Sequence, residues 1–174
     1  MLLVADQPVT VVGVPTLERL RLDHGPALLA FERENRAYFA ASVPDRGDEY
    51  FRDFDARHRA LLAEQAAGLH HLHVTVDEDG PIVGRINLVD VADGSAELGY
   101  RIAERAAGRG LATTMVRHVC SDVAVGYGLT RLHASTTLDN LGSRTVLART
   151  GFLPVGETTL DGRPALRYER WLDR

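Results

Sequence analysis

Between Ser95 and Thr137 the chain leaves an alternating strand pattern and passes through Gly108-Arg109-Gly110-Leu111-Ala112-Thr113. It then enters an apolar run at helical spacing, Leu111, Met115, Val119 and Val123, and returns to a strand pattern at Arg131–Thr137. Apolar residues recurring at this spacing, with Val116 and Cys120 beside them, predict an amphipathic helix ending near Gly126 or Gly128. A strand, a helix and a strand in succession require a crossover, so the two strands should be parallel and the connection right-handed.

Around this unit, alternation and turn residues predict the remaining elements. Thr10 to Leu22 suggests one or two short strands, and Asp23 a helix N-cap for a helix reaching Phe39. After a turn at Pro44 to Asp48, Phe51, Phe54, His58, Leu61 and Leu62 predict a second helix over Glu49 to Gly68. Leu69–Asp77, Ile82–Val91 and Ser95–Ile102 read as an antiparallel meander, with turns at Glu78-Asp79-Gly80-Pro81 and Asp93-Gly94. Past the crossover, Asn140–Thr150 predicts a short helix stopped by Gly151, and Phe152–Leu160 with Pro164–Trp171 a hairpin around Asp161-Gly162. The fold class is therefore α/β, a mixed sheet with helices on both faces. No repeat, low-complexity tract or linker divides the chain, so residues 1–174 are expected to form one domain.

Composition narrows the function. A hydrophobic content of 45% and a charged content of 25% are those of an ordinary globular chain. A net charge of -4 argues against nucleic acid held by a broad basic surface. The cationic side chains are all arginine, so lysine base and Schiff-base chemistry are excluded. The single Cys120 rules out an internal disulfide, and no Cys/His cluster offers a metal site. His71 and His73 share a strand face but lack a third ligand, and read as a strand pair. No leader pattern and no apolar run of membrane-spanning length stands out, so a cytoplasmic location without membrane association is expected.

The chemistry centres on the glycine turn. Glycines before a helix N-terminus leave main-chain N–H groups unpaired and converging, which with the helix dipole suits a phosphate or pyrophosphate. Ala112 keeps the next position small and Thr113 offers a hydroxyl. Neither Gly-x-x-x-x-Gly-Lys-Ser/Thr nor Gly-x-Gly-x-x-Gly is present, which argues against other nucleotides.

Two blocks, Gly99-Tyr100 with Gly108 to Thr113, and Asn140-Leu141-Gly142-Ser143 continuing to Gly151-Phe152, resemble the GNAT superfamily of N-acetyltransferases, most closely its RimJ/RimL-like branch. They span Ser95 to Phe152. The resemblance implies a GNAT-like fold, its mostly antiparallel sheet splayed at the cofactor strand. It also implies acetyl-CoA as co-substrate, no metal, and an amine-bearing acceptor; a homodimer is left open. The superfamily signature matches literally at Arg105 to Gly110, but the spacing from Gly99-Tyr100 places it at Ala107 to Ala112 instead. In that register the cofactor would contact Tyr100, Ile102, Ala107, Gly108, Arg109, Gly110, Leu111, Ala112, Thr113, Asn140 and Ser143. The pantetheine arm would lie along the strand ending at Ile102, with a bulge expected at Gly99.

Transfer to an alkylamine is aided by a base, for which Glu97 on the cofactor strand is the candidate; the alternative for Glu97 is a structural or solvated carboxylate, paired with Arg101. Many superfamily members place a tyrosine seven residues after the Asn140 position to meet the leaving thiolate; here that residue is Leu147, and Ser143 is the candidate. Leu147 also keeps open the alternative of a catalytically silent acyl-CoA-binding or regulatory module. By resemblance, Asn35, Arg36, Tyr38, Phe39 and Tyr50 lie where the acceptor site is walled.

Overall fold

A computed structural model describes residues 14–173. Seven strands, β1 (Thr16–Arg19), β2 (His71–Val76), β3 (Ile82–Ala92), β4 (Ser95–Ile102), β5 (Arg131–Thr137), β6 (Leu153–Leu160) and β7 (Arg163–Trp171), form one sheet in the order β1-β2-β3-β4-β5-β7-β6. Every neighbouring pair is antiparallel except β4 and β5. The parallel pairing covers only Ser95↔Arg131, Ala96↔Leu132 and Glu97↔His133. Beyond Glu97, β4 stays on β3 as far as Ile102 while β5 stays on β7 as far as Thr137, so the sheet opens between them. The part of the first predicted strand before Val14 lies outside the described residues.

Helices cover both faces. On one, α1 (Gly25–Glu34), α2 (Arg36–Ala40), α3 (Asp48–Arg52) and α4 (Phe54–Ala66) enclose a core of Leu28, Phe31, Phe54, Leu72 and Val74. On the other, α5 (Leu111–His118), a π-turn (Val119–Val123), α6 (Ala124–Gly126) and α7 (Leu141–Arg149) pack over Ile86, Leu88, Leu98, Leu132 and Phe152. Each fully buried aliphatic or aromatic side chain contributes on the order of 1.5–3 kcal/mol of transfer free energy. The π-turn has a packing reason: Val119 and Ala124, five residues apart, are both fully buried, and the wider turn keeps the apolar stripe on the sheet.

Several expectations shift. Asp23 does not cap α1; it lies in a short 3-10 turn, Leu22–His24, where Arg21 binds its carboxylate, and α1 begins at Gly25 with Pro26 in its first turn. The helix expected to reach Phe39 breaks at Asn35. There the side chain donates to the Phe31 carbonyl (2.8 Å) and accepts from the Glu104 N–H (2.9 Å). That bond ties the α1–α2 corner to the loop after β4. The helix expected over Glu49 to Gly68 is likewise interrupted, at Asp53. The bulge expected at Gly99 is elsewhere, since Gly99 pairs in register with Asn87. The register shifts between Val89 and Ala92 instead, where Asp90 takes a positive φ of 53°.

Candidate active site

The opening between β4 and β5 is one end of a cleft. Its first half, a cavity of about 490 Å³, is bounded by Leu98, Gly99, Tyr100 and Arg101 on β4 and by Ala134 to Thr137 on β5. The second half, about 570 Å³, runs from Tyr100, Arg101 and Ile102 over Ala107, Gly108 and the first turn of α5 to Gly142 and Val146 on α7. The two halves share Ser42, Val43, Tyr100, Arg101, Asn140 and Ser143.

Local chemistry builds the second half. Gly108 and Gly110 have φ of 73° and 78°, values that carry a steric cost for any residue with a Cβ. Gly110 is the N-cap of α5. The first bond within this helix is from Thr114 N–H to the Gly110 carbonyl (3.0 Å), which leaves the N–H groups of Leu111, Ala112 and Thr113 without helical acceptors. Beyond the adjoining residues no atom lies within 4 Å of where a Cβ on either glycine would project, so the loop presents bare main chain. These features fit a pyrophosphate. The unpaired edge of β4 beyond Glu97 fits an extended arm that takes up main-chain hydrogen bonds.

Of the residues singled out from the sequence, Tyr100, Ile102, Ala107, Gly108, Gly110, Leu111, Ala112, Thr113, Asn140 and Ser143 all line the second half. Arg109 does not; it is exposed. Arg105 reaches away to Asp77 (3.3 Å), so the signature position facing the cleft is Ala107. Glu97 is the clearest departure. It is the last β4 residue paired to β5, opposite His133, and lines neither half. Its suggested partner Arg101 donates instead to Glu32.

Tyr100 contributes more than main chain. Its hydroxyl lies 3.2 Å from the Ser143 Oγ, joining β4 to the first turn of α7. Burial raises the phenol above its ordinary pKa of 10.0, and the bond to Ser143 lowers it by less. Asn140 fixes that turn by accepting from the Ser143 N–H (3.1 Å), a side-chain N-cap. Leu147, one turn on, is buried in the core.

The first half is lined by Arg46, Arg85, Arg101 and Arg163 and by a single carboxylate, Asp161. Of the five residues expected to wall the acceptor site, Tyr38 and Phe39 line the second half, while Tyr50 sits behind the first, 3.4 Å from Arg85 Nη1. Asn35 is a structural corner, and Arg36 is held by Asp45 (2.7 Å) and Asp48 (2.8 Å). His71 stacks on Tyr127 and His73 Nε2 lies 2.9 Å from its hydroxyl, so both histidines are engaged. Cys120 is core, its thiol pushed up to about 11 by burial. Among the described residues no cluster of three metal-ligating side chains occurs.

Residues 16–153 match the model of the acetyltransferase (GNAT) domain. The chain belongs to the GNAT acetyltransferase family. Within it, the chain is 26% identical over 130 residues to the probable N-acetyltransferase YjcK of Bacillus subtilis, covering 71% of this chain and 72% of that protein. Its fold is similar to the ribosomal-protein-S5-alanine acetyltransferase of Vibrio fischeri, with a TM-score of 0.84, 19% identity and coverage of 90% and 92% of the two chains. It is also similar to Mycobacterium smegmatis RimJ, solved in complex with CoA-disulfide, with a TM-score of 0.77, 25% identity and coverage of 91% and 82%. This GNAT chain is thus an acyltransferase of RimJ/RimL-like type, with the mostly antiparallel splayed sheet that the resemblance implied.

Proposed function

We propose that this chain moves an acetyl group from acetyl-CoA to a primary amine, either a peptide or protein N-terminus or a small-molecule amine, by direct attack on the thioester. The observation that carries the reading is the meeting of two half-cavities at Tyr100, Arg101, Asn140 and Ser143. In this arrangement the Gly108–Thr113 loop holds the pyrophosphate, the free edge of β4 holds the pantetheine, and the thioester lies at the junction. The amine arrives from the β5 side.

Three tasks remain at the junction. A main-chain N–H near Tyr100 or Ile102 polarises the carbonyl as the C–N bond forms. As the C–S bond breaks, the electron pair goes to sulfur, and the Tyr100–Ser143 hydroxyl pair donates toward it. This pair fills the role left open by Leu147, and weighs against a silent binding module. Glu97 lies outside the lining, so the proton leaving the amine passes to solvent or to Asp161. An α-amine, with a pKa of about 8, needs less help in this than an alkylamine at about 10.4. We read residues 1–174 as one cytoplasmic domain; among the described residues no helix is long and apolar enough to cross a membrane.

The test is a panel of amines with acetyl-CoA, alongside melting curves with acetyl-CoA, ATP and NAD. A shift specific to acetyl-CoA and turnover of at least one amine are expected. Equal shifts with all three would overturn the cofactor assignment.

A further inference from the structure

The wall of the acceptor half holds an uneven set of charges. Glu32, on α1, is 1% exposed, and three guanidinium groups converge on it: Arg85 at 2.7 Å, Arg101 at 3.3 Å and Arg46 at 3.4 Å. One carboxylate cannot balance three cations, so the cluster carries two positive charges in excess. Arg85, its side chain 5% exposed, is nearly spent on Glu32 and on Tyr50, toward which it points. Arg46 and Arg101 are not; their side chains are 31% and 22% exposed, and both line the cavity.

The nearby carboxylates offset them only in part. Asp45 and Asp48 share Arg36, a trio with one negative charge in excess, but neither lies within ion-pair distance of Arg46 or Arg101, and Asp139 is taken by Arg163. Asp161, on the hairpin turn across the cavity, is the one acid in its lining. The excess cations are also held in place. Arg46 lies 4.6 Å over the Tyr50 ring and Arg101 5.0 Å over the Phe39 ring. Burial first, then repulsion from Arg46, pulls the Arg101 pKa below its ordinary value against the opposing attraction of Glu32. Such a preorganised pair suits an oxyanion, because guanidinium groups donate in a fixed fork matching carboxylate or phosphate oxygens.

The geometry points to an acceptor whose amine enters the junction at Tyr100 and Ser143 while an anionic group elsewhere on the same molecule, a carboxylate or a phosphate, docks between Arg46 and Arg101. This rests on the acyltransferase reading and adds a substrate class to it. Polyamines and other wholly cationic amines would be rejected by the same charges.

The experiment has a binding arm and a turnover arm. For binding, succinate, succinamide and inorganic phosphate are titrated calorimetrically against the protein with coenzyme A at saturation, so that the glycine loop is occupied. Saturable binding of succinate or phosphate but not of succinamide is expected, weakened about tenfold in Arg46→Gln and in Arg101→Gln, and partly kept in Arg46→Lys. The stronger of the two anions names the source. For turnover, amines that differ only as carboxylate or amide are compared; the carboxylate should have at least a tenfold higher kcat/KM, lost in Arg46→Gln through KM. Equal use of both, or anion binding indifferent to Arg46 and Arg101, overturns the proposal while leaving acetyl transfer standing. Anion binding that depends on these arginines, with no amine acetylated, supports the anion site and overturns the proposed acetyl transfer to an amine instead.

Discussion

The Tyr100 hydroxyl lies 3.2 Å from the Ser143 Oγ, and both residues line the cleft at the point where its two halves meet. Strand β4 supplies one oxygen and the capped first turn of α7 the other. Each hydroxyl holds the other's rotamer, so a donor is positioned before substrates arrive.

If this pair serves the leaving thiolate, Tyr100→Phe should lower kcat by about 10²-fold, within the range for a lost general acid. Ser143→Ala should cost less, about tenfold, since the phenol remains. The double variant should be little worse than Tyr100→Phe alone, because the two act as a unit. Steady-state rates with saturating acetyl-CoA check this, with an unchanged acetyl-CoA Kd as control. The raised phenol also predicts no loss of rate from this group below about pH 10, its ordinary value.

Replacing Gly110 by Val should abolish the melting-temperature increase given by acetyl-CoA. The φ of 78° penalises a Cβ by about 1–2 kcal/mol, and the side chain would project into the space the loop leaves bare. Differential scanning fluorimetry measures both effects, as a modest drop without ligand and a lost shift with it.

Glu32→Gln should destabilise the fold by about 3–5 kcal/mol, because it leaves buried Arg85 and its two neighbours without counter-charge. Urea unfolding would show it as a lower midpoint. A loss under about 1 kcal/mol would mean that water compensates the cluster.

Burial lowers the His73 pKa from 6.5 to about 4, and His71 is lowered for the same first reason. The unfolded chain therefore binds more protons than the folded one between these values, and stability must fall as the pH drops from 6.5 toward 4. His73 alone accounts for up to roughly 3 kcal/mol of that loss. Melting temperatures across this range should slope steeply in the native chain and less in His73→Leu.

Much of this was legible in the sequence, for a local reason. The strand, glycine turn and helix of Ser95 to His118 rest on alternation, positive φ and helical spacing, each encoded within a few residues, and the Asn140 cap is equally local. What was not legible depends on distant partners. Period-2 alternation puts Glu97, Gly99 and Arg101 on one face but does not say that β5 departs after Glu97, and this departure leaves Glu97 outside the cleft. For the same reason the sequence points only to the main chain of Tyr100, since its hydroxyl gains meaning only from Ser143, 43 residues on. The cluster joins Glu32, Arg46, Arg85 and Arg101 from separate parts of the chain, and no local pattern in the sequence marks it. The breaks at Asn35 and Asp53 escaped periodicity because side chains on either side keep the same apolar face.

On the proposed function, the junction of the two half-cavities transfers acetyl from coenzyme A to an amine. Mass balance tests it most directly, by following free thiol and N-acetylated product together for the best amine in a panel, in the native chain and in Tyr100→Phe. One thiol per acetylated amine is expected, with both rates falling together by about 10²-fold in the variant. Thiol released without acetylated amine, or transfer that ignores the loss of Tyr100, would contradict it.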